Sequence, residues 1–458
     1  MDRIIDEGLR RLKGRIEKIA RDAVQGGLNP RSYSEFEQKL HGALGEVGCT
    51  VEKAVLESAD VEQPCIEYGG LRHYRKYKGP QEYQCLFGKI EVRRSVYQAN
   101  GERTLCPLEV NAGILHHHLT PAAAEFVAYS TAHMVPGELA EFCRRWQFLT
   151  PSETVIKQVA AQVGGMSEAL SENYARRIHI EEPPVDVEEV RVVAFSRDGT
   201  CVNVREEGWR QAQVGSISFY GKKVKNDKGE EKRKRLRTAY VGQMPEEKTP
   251  TFEKKFEREV DHALATVPCD TRLACIADGA RSNWKYFESH PQLKNAVQIN
   301  DFWHAAGYLS KASDALFGEG TANGKRWFKK YRHILKTEDG AVEQVIRSIR
   351  YYRKRRAIRS AQRLTTIRKV LRYLARNRDR MQYAAYRRRG LPIGSGVVEA
   401  ACKTLVGQRL KRAGMRWSRR GGQSILNLRA AVLSRRWDCF WKCHQDAIAV
   451  TPILRLVA

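Results

Sequence analysis

The sequence predicts a multidomain α+β chain. A helical and small-β N-terminal region comes first, followed by an α/β domain that carries a large α-helical insertion. Three observations predict this. The apolar period changes from helical stripes to aromatic and β-branched runs and back again before residue 180. An acidic stretch with Pro183-Pro184 at 181–186 then marks a boundary. Beyond it, strand and helix patterns follow one another in a fixed order, and 458 residues are enough for two to four units.

In the first region Ile5, Leu9, Leu12, Ile16 and Ile19 recur at three- and four-residue steps, which predicts N-terminal helices over 1–66. Packing within the chain and coiled-coil self-association both fit that stripe. Over 67–119, Tyr74, Tyr77, Tyr83, Leu86, Ile90 and Val92 alternate with basic residues, with Gly79 and Gly88 as breaks. This predicts a small basic β module of short strands. Its basic face suits DNA contact and solvation equally. Residues 120–180 are helical again. The segment 136–146 and the helix opened by Pro151-Ser152-Glu153 have helix-turn-helix spacing, which allows a DNA-reading role.

After the linker come strands at 190–195, 215–220 and 239–244. An amphipathic helix carrying Phe252, Phe256, Val260 and Leu264 follows, then a strand at 273–277, a short helix near Trp284, a strand at 296–299, and a helix from Phe302. A three-stranded meander followed by right-handed crossovers gives a five-stranded mixed sheet with helices on its faces. That is the RNase H-like topology, predicted over 187–313 and 391–445, with 314–390 as a basic α-helical insertion and 446–458 as a C-terminal tail.

Charge narrows the function. The chain holds 80 Lys and Arg against 53 Asp and Glu, a net charge of +27. Such a field favours a polyanion, because each neutralised phosphate releases condensed counterions. No apolar run is long enough to span a bilayer, and no signal-peptide core opens the chain, so a cytoplasmic, nucleoid-associated protein without a membrane partner is expected. Eleven scattered cysteines without a CxxC pair predict neither a disulfide framework nor a zinc site. Cys439, Cys443 and His444 read as buried small residues rather than ligands.

Sites in open α/β sheets form beyond the carboxyl ends of strands. Asp198 and Asp278, each followed by glycine, fall there. Taken singly, Asp-Gly is a turn dipeptide; taken together in a basic chain, the two suit hard divalent cations, which prefer oxygen ligands. Glu399 is a third acid, in the first turn of a helix opened by Gly394-Ser395-Gly396 and set among Val397, Val398, Ala400 and Ala401. It complements the helix dipole or pairs with a cation, since a charge in apolar surroundings is costly alone. Asp301 also ends a strand and rivals Asp278. The spacing alone leaves His304 as either a site residue or a satisfied histidine at a helix start capped by Asp301.

These blocks resemble a known family. Arg197-Asp198-Gly199-Thr200 with the 205–215 stretch, Ile276-Ala277-Asp278-Gly279-Ala280 with 297–305, and Gly394 to Glu399 with 409–417 are similar, in order, to the three motif blocks of the ISKra group of bacterial insertion-sequence transposases. These are DDE enzymes related to the Mutator-like class. The resemblance spans about 190–441. It implies an Asp198, Asp278 and Glu399 triad holding two Mg²⁺ (or Mn²⁺) ions, with His304 as a further catalytic residue from an Asp-x-x-His motif. It also implies double-stranded DNA, at transposon ends and target, as partner. The activity it implies is two-metal-ion cleavage of the end followed by joining of the freed 3′-OH to target DNA. A domesticated, inactive DNA-binding relative and an RNase H-like nuclease without strand transfer are the alternatives. Transposases of this kind commonly act as homo-oligomers. Relatives often carry paired cysteines near the N-terminus; here the 97–106 stretch holds only Cys106, which departs from that pattern.

Basic residues supply the expected DNA face. Between 347 and 389 there are 17 Lys or Arg and one acid, Asp379, too lopsided for internal pairing. Arg353, Lys354, Arg355 and Arg356 stand in this run. Lys222, Lys223, Arg233 and Lys234 belong to a second basic run predicted as a hairpin loop, and Arg409, Lys411, Arg412 and Arg416 follow Glu399.

Overall fold

The computed structural model describes residues 2–114, 118–146, 149–182, 186–225, 231–356, 358–449 and 455–456. It forms two units: Met1–Ile180 with Gln423–Val432 and Arg436–Ala458, and Glu181–Gly422 with Leu433–Arg435. The break at 180/181 falls at the start of the acidic stretch; Pro183 and Pro184 lie outside the described residues.

The first unit opens with helices α1 (Asp2–Gln25) and α2 (Pro30–Ser58), the latter capped by Asn29 with Pro30 at its first position. Strands β1 (Cys65–Tyr68), β2 (Leu71–Cys85) and β3 (Gly88–Gln98) form an antiparallel sheet that β9 (Arg455–Leu456) extends, in the order β3-β2-β1-β9. The strands are longer than the glycines suggest. Gly79 lies inside β2, paired with Arg94, and only the turn at 85–88 breaks the hairpin. Helices α3 (Pro107–Ala112), α4 (Pro121–Thr131), α5 (Pro136–Arg145), α6 (Glu153–Ala169) and α7 (Ser171–Glu181) follow. Between α5 and α6, residues 147–148 lie outside the described residues.

The second unit holds a five-stranded sheet in the order β6-β5-β4-β7-β8. Strands β4 (Val192–Val204), β5 (Gly208–Lys225) and β6 (Glu231–Gln243) are antiparallel neighbours; β7 (Arg272–Ala277) and β8 (Val297–Asn300) run parallel to β4. The β4–β5 turn places Glu206 and Gly208 at positive φ, as a tight hairpin requires. Along each strand, side chains alternate between two cores. Val193, Phe195, Cys275 and Ala277 pack with Phe252, Phe256 and Val260 of α8 (Pro250–Thr266) and Trp284 and Phe287 of α9 (Arg281–Ser289). Val192, Ala194, Ala274, Ile276 and Ile299 pack on the other face. That face meets α10 (Phe302–Phe317), α11 (Ala322–Thr337), α12 (Ala341–Arg355), α13 (Ala361–Asn377) and α14 (Tyr383–Arg388). Each fully buried large apolar side chain in these layers contributes about 1.5–3 kcal/mol.

Residues 314–390, predicted as an α-helical insertion in the catalytic domain, pack on its sheet: Leu335, Val345, Val370, Leu374 and Tyr383 share one continuous core with it. The expected domain end at 445 does not coincide with the boundary between the units. After α15 (Gly396–Ala401) and α16 (Gln408–Leu410), helix α17 (Arg419–Leu433) gives residues 423–432 to the first unit, and α18 (Trp437–Ala449) belongs there entirely. The physical reason is aromatic burial. Trp437 packs edge-on against Tyr129 and donates to Glu125, and His444, fully buried, meets the Tyr174 hydroxyl at 3.0 Å.

Candidate metal centre

Strand register brings three aspartates level with one another. Pairing of β4 with β7 runs from Val192–Arg272 to Ser196–Ile276, so continuing it by two residues brings Asp198 level with Asp278. Pairing of β7 with β8 runs from Ala274–Val297 to Ala277–Asn300, and one step further brings Asp278 level with Asp301. By strand alternation all three lie on the face covered by α10 and α13. Asp198 does not end its strand, as the sequence predicts; β4 runs on to Val204 through its hairpin with β5, and only its parallel partner stops.

Each carboxylate is held by short-range donors. Asp198 Oδ1 accepts from its neighbour Gly199 N–H at 2.7 Å, and Oδ2 from the Cys402 thiol at 3.6 Å. Asp278 Oδ1 accepts from Ala280 N–H at 3.0 Å and from the Asn283 amide at 3.1 Å. That amide also reaches Arg197 O at 3.5 Å, tying the middle of β4 to the end of β7. Asp301 is fully buried and caps α10: Oδ1 accepts from His304 N–H at 2.5 Å, and Oδ2 from Ser395 N–H. The second bond fixes the turn that launches α15, and Ser395 Oγ in turn donates to Glu399 Oε1 at 3.3 Å. Gly394 leaves this turn close under Trp303, since a Cβ there would come within 3.1 Å of the Trp303 ring.

The ligand atoms of Asp301, His304 and Glu399 all lie within 4.8 Å of one another, the one such group among the described residues. Asp198 and Asp278 are not members of that group, although Asp198 feels the charges of Asp278 and His304. Burial, and then the Asp278 charge, push the Asp198 carboxyl above the usual range, against the Gly199 N–H bond, the Cys402 thiol and His304. Cys402, one turn after Glu399, is raised well above an ordinary thiol by burial and by the Asp198 and Glu399 charges. Among the described residues no lysine or arginine forms an ion pair with Asp198, Asp278, Asp301 or Glu399. Four acids therefore converge in a chain of net charge +27 without a cationic side chain to neutralise them. That donor set, oxygen-rich with one imidazole, fits hard divalent cations.

No protein-family model matches the chain, and no curated protein does. Among solved structures, the Drosophila P element transposase strand transfer complex aligns over 75% of this chain and 85% of that one, at 9% identity and a TM-score of 0.23, too low to equate the two folds.

Several residues around the cluster have no signal in the sequence. Arg197 points to the face opposite Asp198. It lies 4.0 Å from the Tyr286 centroid and 5.0 Å from Phe252, with Glu253 at 3.4 Å, and burial lowers its pKa. Asn283 lies five residues after Asp278 in a short helix that no motif singles out. A π-helical stretch over Cys402–Gly407 follows Glu399 directly, a feature frequent at functional sites. Trp303, 57% exposed beside His304, is a large apolar surface at the rim.

The predicted basic face divides. Lys222, Lys223, Lys234, Arg353, Lys354, Arg355, Arg356, Lys411, Arg412 and Arg416 are exposed. The 222–237 run is mostly strand rather than loop, on β5 and β6, with 226–230 outside the described residues. Two residues leave the DNA-facing set. Arg233 spends its guanidinium on Gly390 O at 2.6 Å and Gly221 O at 2.8 Å. Arg409 is 2% exposed, 5.3 Å from the Trp417 ring centroid, and packs the segment after α15. Trp417 joins that segment to the β4 hairpin through Asn203 O and Arg205 N–H. Cys439, Cys443 and His444 form no metal-type group, and no helix among the described residues is long and apolar enough to cross a membrane.

Proposed function

We propose that this chain is a DNA transposase of the ISKra type. In this reading it has an RNase H-like catalytic domain and cleaves and joins phosphodiesters with two divalent cations, Mg²⁺ or Mn²⁺. The observation that carries the reading is the shared register of Asp198, within β4, with Asp278 and Asp301, just beyond β7 and β8, and the Asp301–Ser395 contact that fixes the turn before Glu399. Asp198, Asp278 and Glu399 hold the ions; Asp301 and His304 complete the shell at the Glu399 side. Cations bound there neutralise charge on the attacking and leaving oxygens of a phosphodiester.

The chain's own residues position and bind. Asn283 and Gly199 N–H fix the carboxylates against their mutual repulsion, and Trp303 with His304 forms the rim that the scissile strand meets. The exposed cations Lys222, Lys223, Lys234, Arg353, Lys354, Arg355, Arg356, Lys411, Arg412 and Arg416 grip phosphates of the element's ends and of target DNA. In cleavage, water adds to phosphorus and the bond to the 3′ oxygen breaks, leaving a 3′-OH. In joining, that 3′ oxygen bonds to a target phosphorus and displaces the target's own 3′ oxygen. The protein acts as a homo-oligomer in this scheme, so that two ends react together.

The test is a nicking and strand-transfer assay on labelled end DNA. Wild type with Mg²⁺ yields nicks and joined product. Asp198→Asn abolishes both, while gel-shift affinity for the same DNA without metal stays within about twofold. Nicks without joined product favour a nuclease; neither product, across Mg²⁺ and Mn²⁺, favours an inactive binder.

A further inference from the structure

A second cleft lies in the helical layer of the same unit, where no residue of the carboxylate cluster reaches. It encloses about 540 Å³ between the end of α10, one face of α11 and the last turn of α12. Asn323, Arg326, Trp327, Lys330 and Tyr331 recur at three- and four-residue steps, so α11 turns a single face into it.

Its lining has two parts. Arg326, Lys330, Arg355 and Arg356 are exposed cations at the mouth, and none forms an ion pair among the described residues. No acid lines the cleft. Its floor is aromatic: Phe317 meets Tyr352 at 5.0 Å between ring centroids, and Trp327 meets Tyr331 at 4.9 Å. Trp327 has its indole N–H satisfied by Ser348 Oγ at 2.9 Å, so it presents no unmet polar group. The Arg356 guanidinium lies 4.6 Å from the Phe317 centroid, making a planar cation available for stacking.

A ligand that satisfies both parts carries negative charge and a flat ring. A bare phosphate uses only the rim, and an apolar molecule leaves four cations without a counter-charge. We propose that this cleft binds a nucleoside phosphate, with its base against the Tyr331 and Tyr352 side and its phosphate on Arg326 and Lys330. The source is an unpaired nucleotide of a DNA strand or a free nucleotide. The first source rests on the reading of this chain as a DNA-acting protein; the second does not. Aromatic and arginine planes that accept bases irrespective of sequence are the general means of holding unstacked nucleotides.

The experiment uses the full-length protein and fluorescence titration with three probes: a single strand containing 2-aminopurine, the same strand with an abasic site at that position, and a mant-labelled deoxynucleoside triphosphate. Wild type should bind the base-containing strand about tenfold more tightly than the abasic one, the scale of one base–aromatic stack. Tyr331→Leu should erase that preference and Tyr331→Phe should keep it, which separates loss of the ring face from misfolding. The pair Arg326→Glu and Lys330→Glu should weaken both strands. Saturable mant-nucleotide binding that the same pair abolishes, without base preference in the strand, assigns the cleft to a free nucleotide. Equal affinity for the two strands with no saturable nucleotide binding overturns the proposal, as does a preference that survives Tyr331→Leu. A wild type that binds and nicks duplex DNA but shows neither signal sinks only this proposal. One that binds mant-nucleotide but no DNA sinks the transposase reading instead.

Discussion

Asp301 does two jobs with two oxygens. It caps α10 through His304 N–H and anchors the turn before α15 through Ser395 N–H. Replacing it by alanine leaves the buried Ser395 N–H and the part-buried His304 N–H without acceptors, at a cost of about 1–3 kcal/mol for a buried group. Asp301→Ala should therefore lower stability by about 3 kcal/mol in urea unfolding. It should also abolish the thermal shift that Mg²⁺ gives wild type, because Glu399 loses its fixed start. A variant of unchanged stability and unchanged Mg²⁺ response would remove Asp301 from both roles. In the first unit, Glu109 shows how a buried acid stays ionised. Burial opposes its charge, but His118 and the Tyr83 hydroxyl at 2.6 Å outweigh that and hold its carboxyl below the usual range. A depressed folded-state pKa contributes stability that is present above the unfolded value and lost as pH falls through the folded one. Glu109→Gln should thus cost about 1–2 kcal/mol at pH 7. The cost should shrink as pH drops below the ordinary value of 4.5, as thermal melts across that window would read.

At the scale of elements, the strand ends and the helices above them are fitted closely. A Cβ on Gly279, next to Asp278, would lie 2.4 Å from the Tyr373 ring on α13. Tyr373 in turn accepts from the Asn300 amide at 2.8 Å and stacks on Tyr308 at 3.7 Å between centroids. The ring is thus held by a hydrogen bond at its hydroxyl and a stack on its face. Gly279→Ala should cost about 1–3 kcal/mol by overpacking and lower nicking out of proportion to DNA binding, since the displaced helix bears on Asp278 and Asp301 together. Equal nicking rates for the variant and wild type would show that the strand ends tolerate the shift.

For the whole molecule, the net charge of +27 favours a polyanionic partner. Binding to duplex DNA should weaken steeply with salt, in proportion to the phosphates neutralised. Removing one exposed cation, as in Lys234→Ala or Arg353→Ala, should reduce the magnitude of the logarithmic salt slope by about one while weakening all sequences alike. Arg409→Gln should leave that slope unchanged and lower the melting temperature, because its guanidinium packs near Trp417. A slope altered by Arg409→Gln would return that residue to the DNA face.

The sequence by itself determined the order of strands and helices in the second unit, because alternating and 3.6-residue apolar periods report which faces are buried whatever lies opposite. It also singled out Asp198 and Asp278 as Asp-Gly pairs after strand patterns, Asp301 and His304 at a helix start, and Glu399 in the first turn of a helix, all of them local signals. It placed Asp278 ahead of Asp301, whereas the tightest ligand group in space contains Asp301, His304 and Glu399. That ranking needed strand register, which depends on pairing between residues far apart in the chain. The same limit hid Asn283 and Cys402, whose partners lie in other elements, and the burial of Arg409, whose charge reads the same on a surface or against Trp417. It also hid the common core of 314–390 with the sheet and the return of α18 to the first unit. Composition fixes how much apolar surface must be buried, and only the folded chain decides against what.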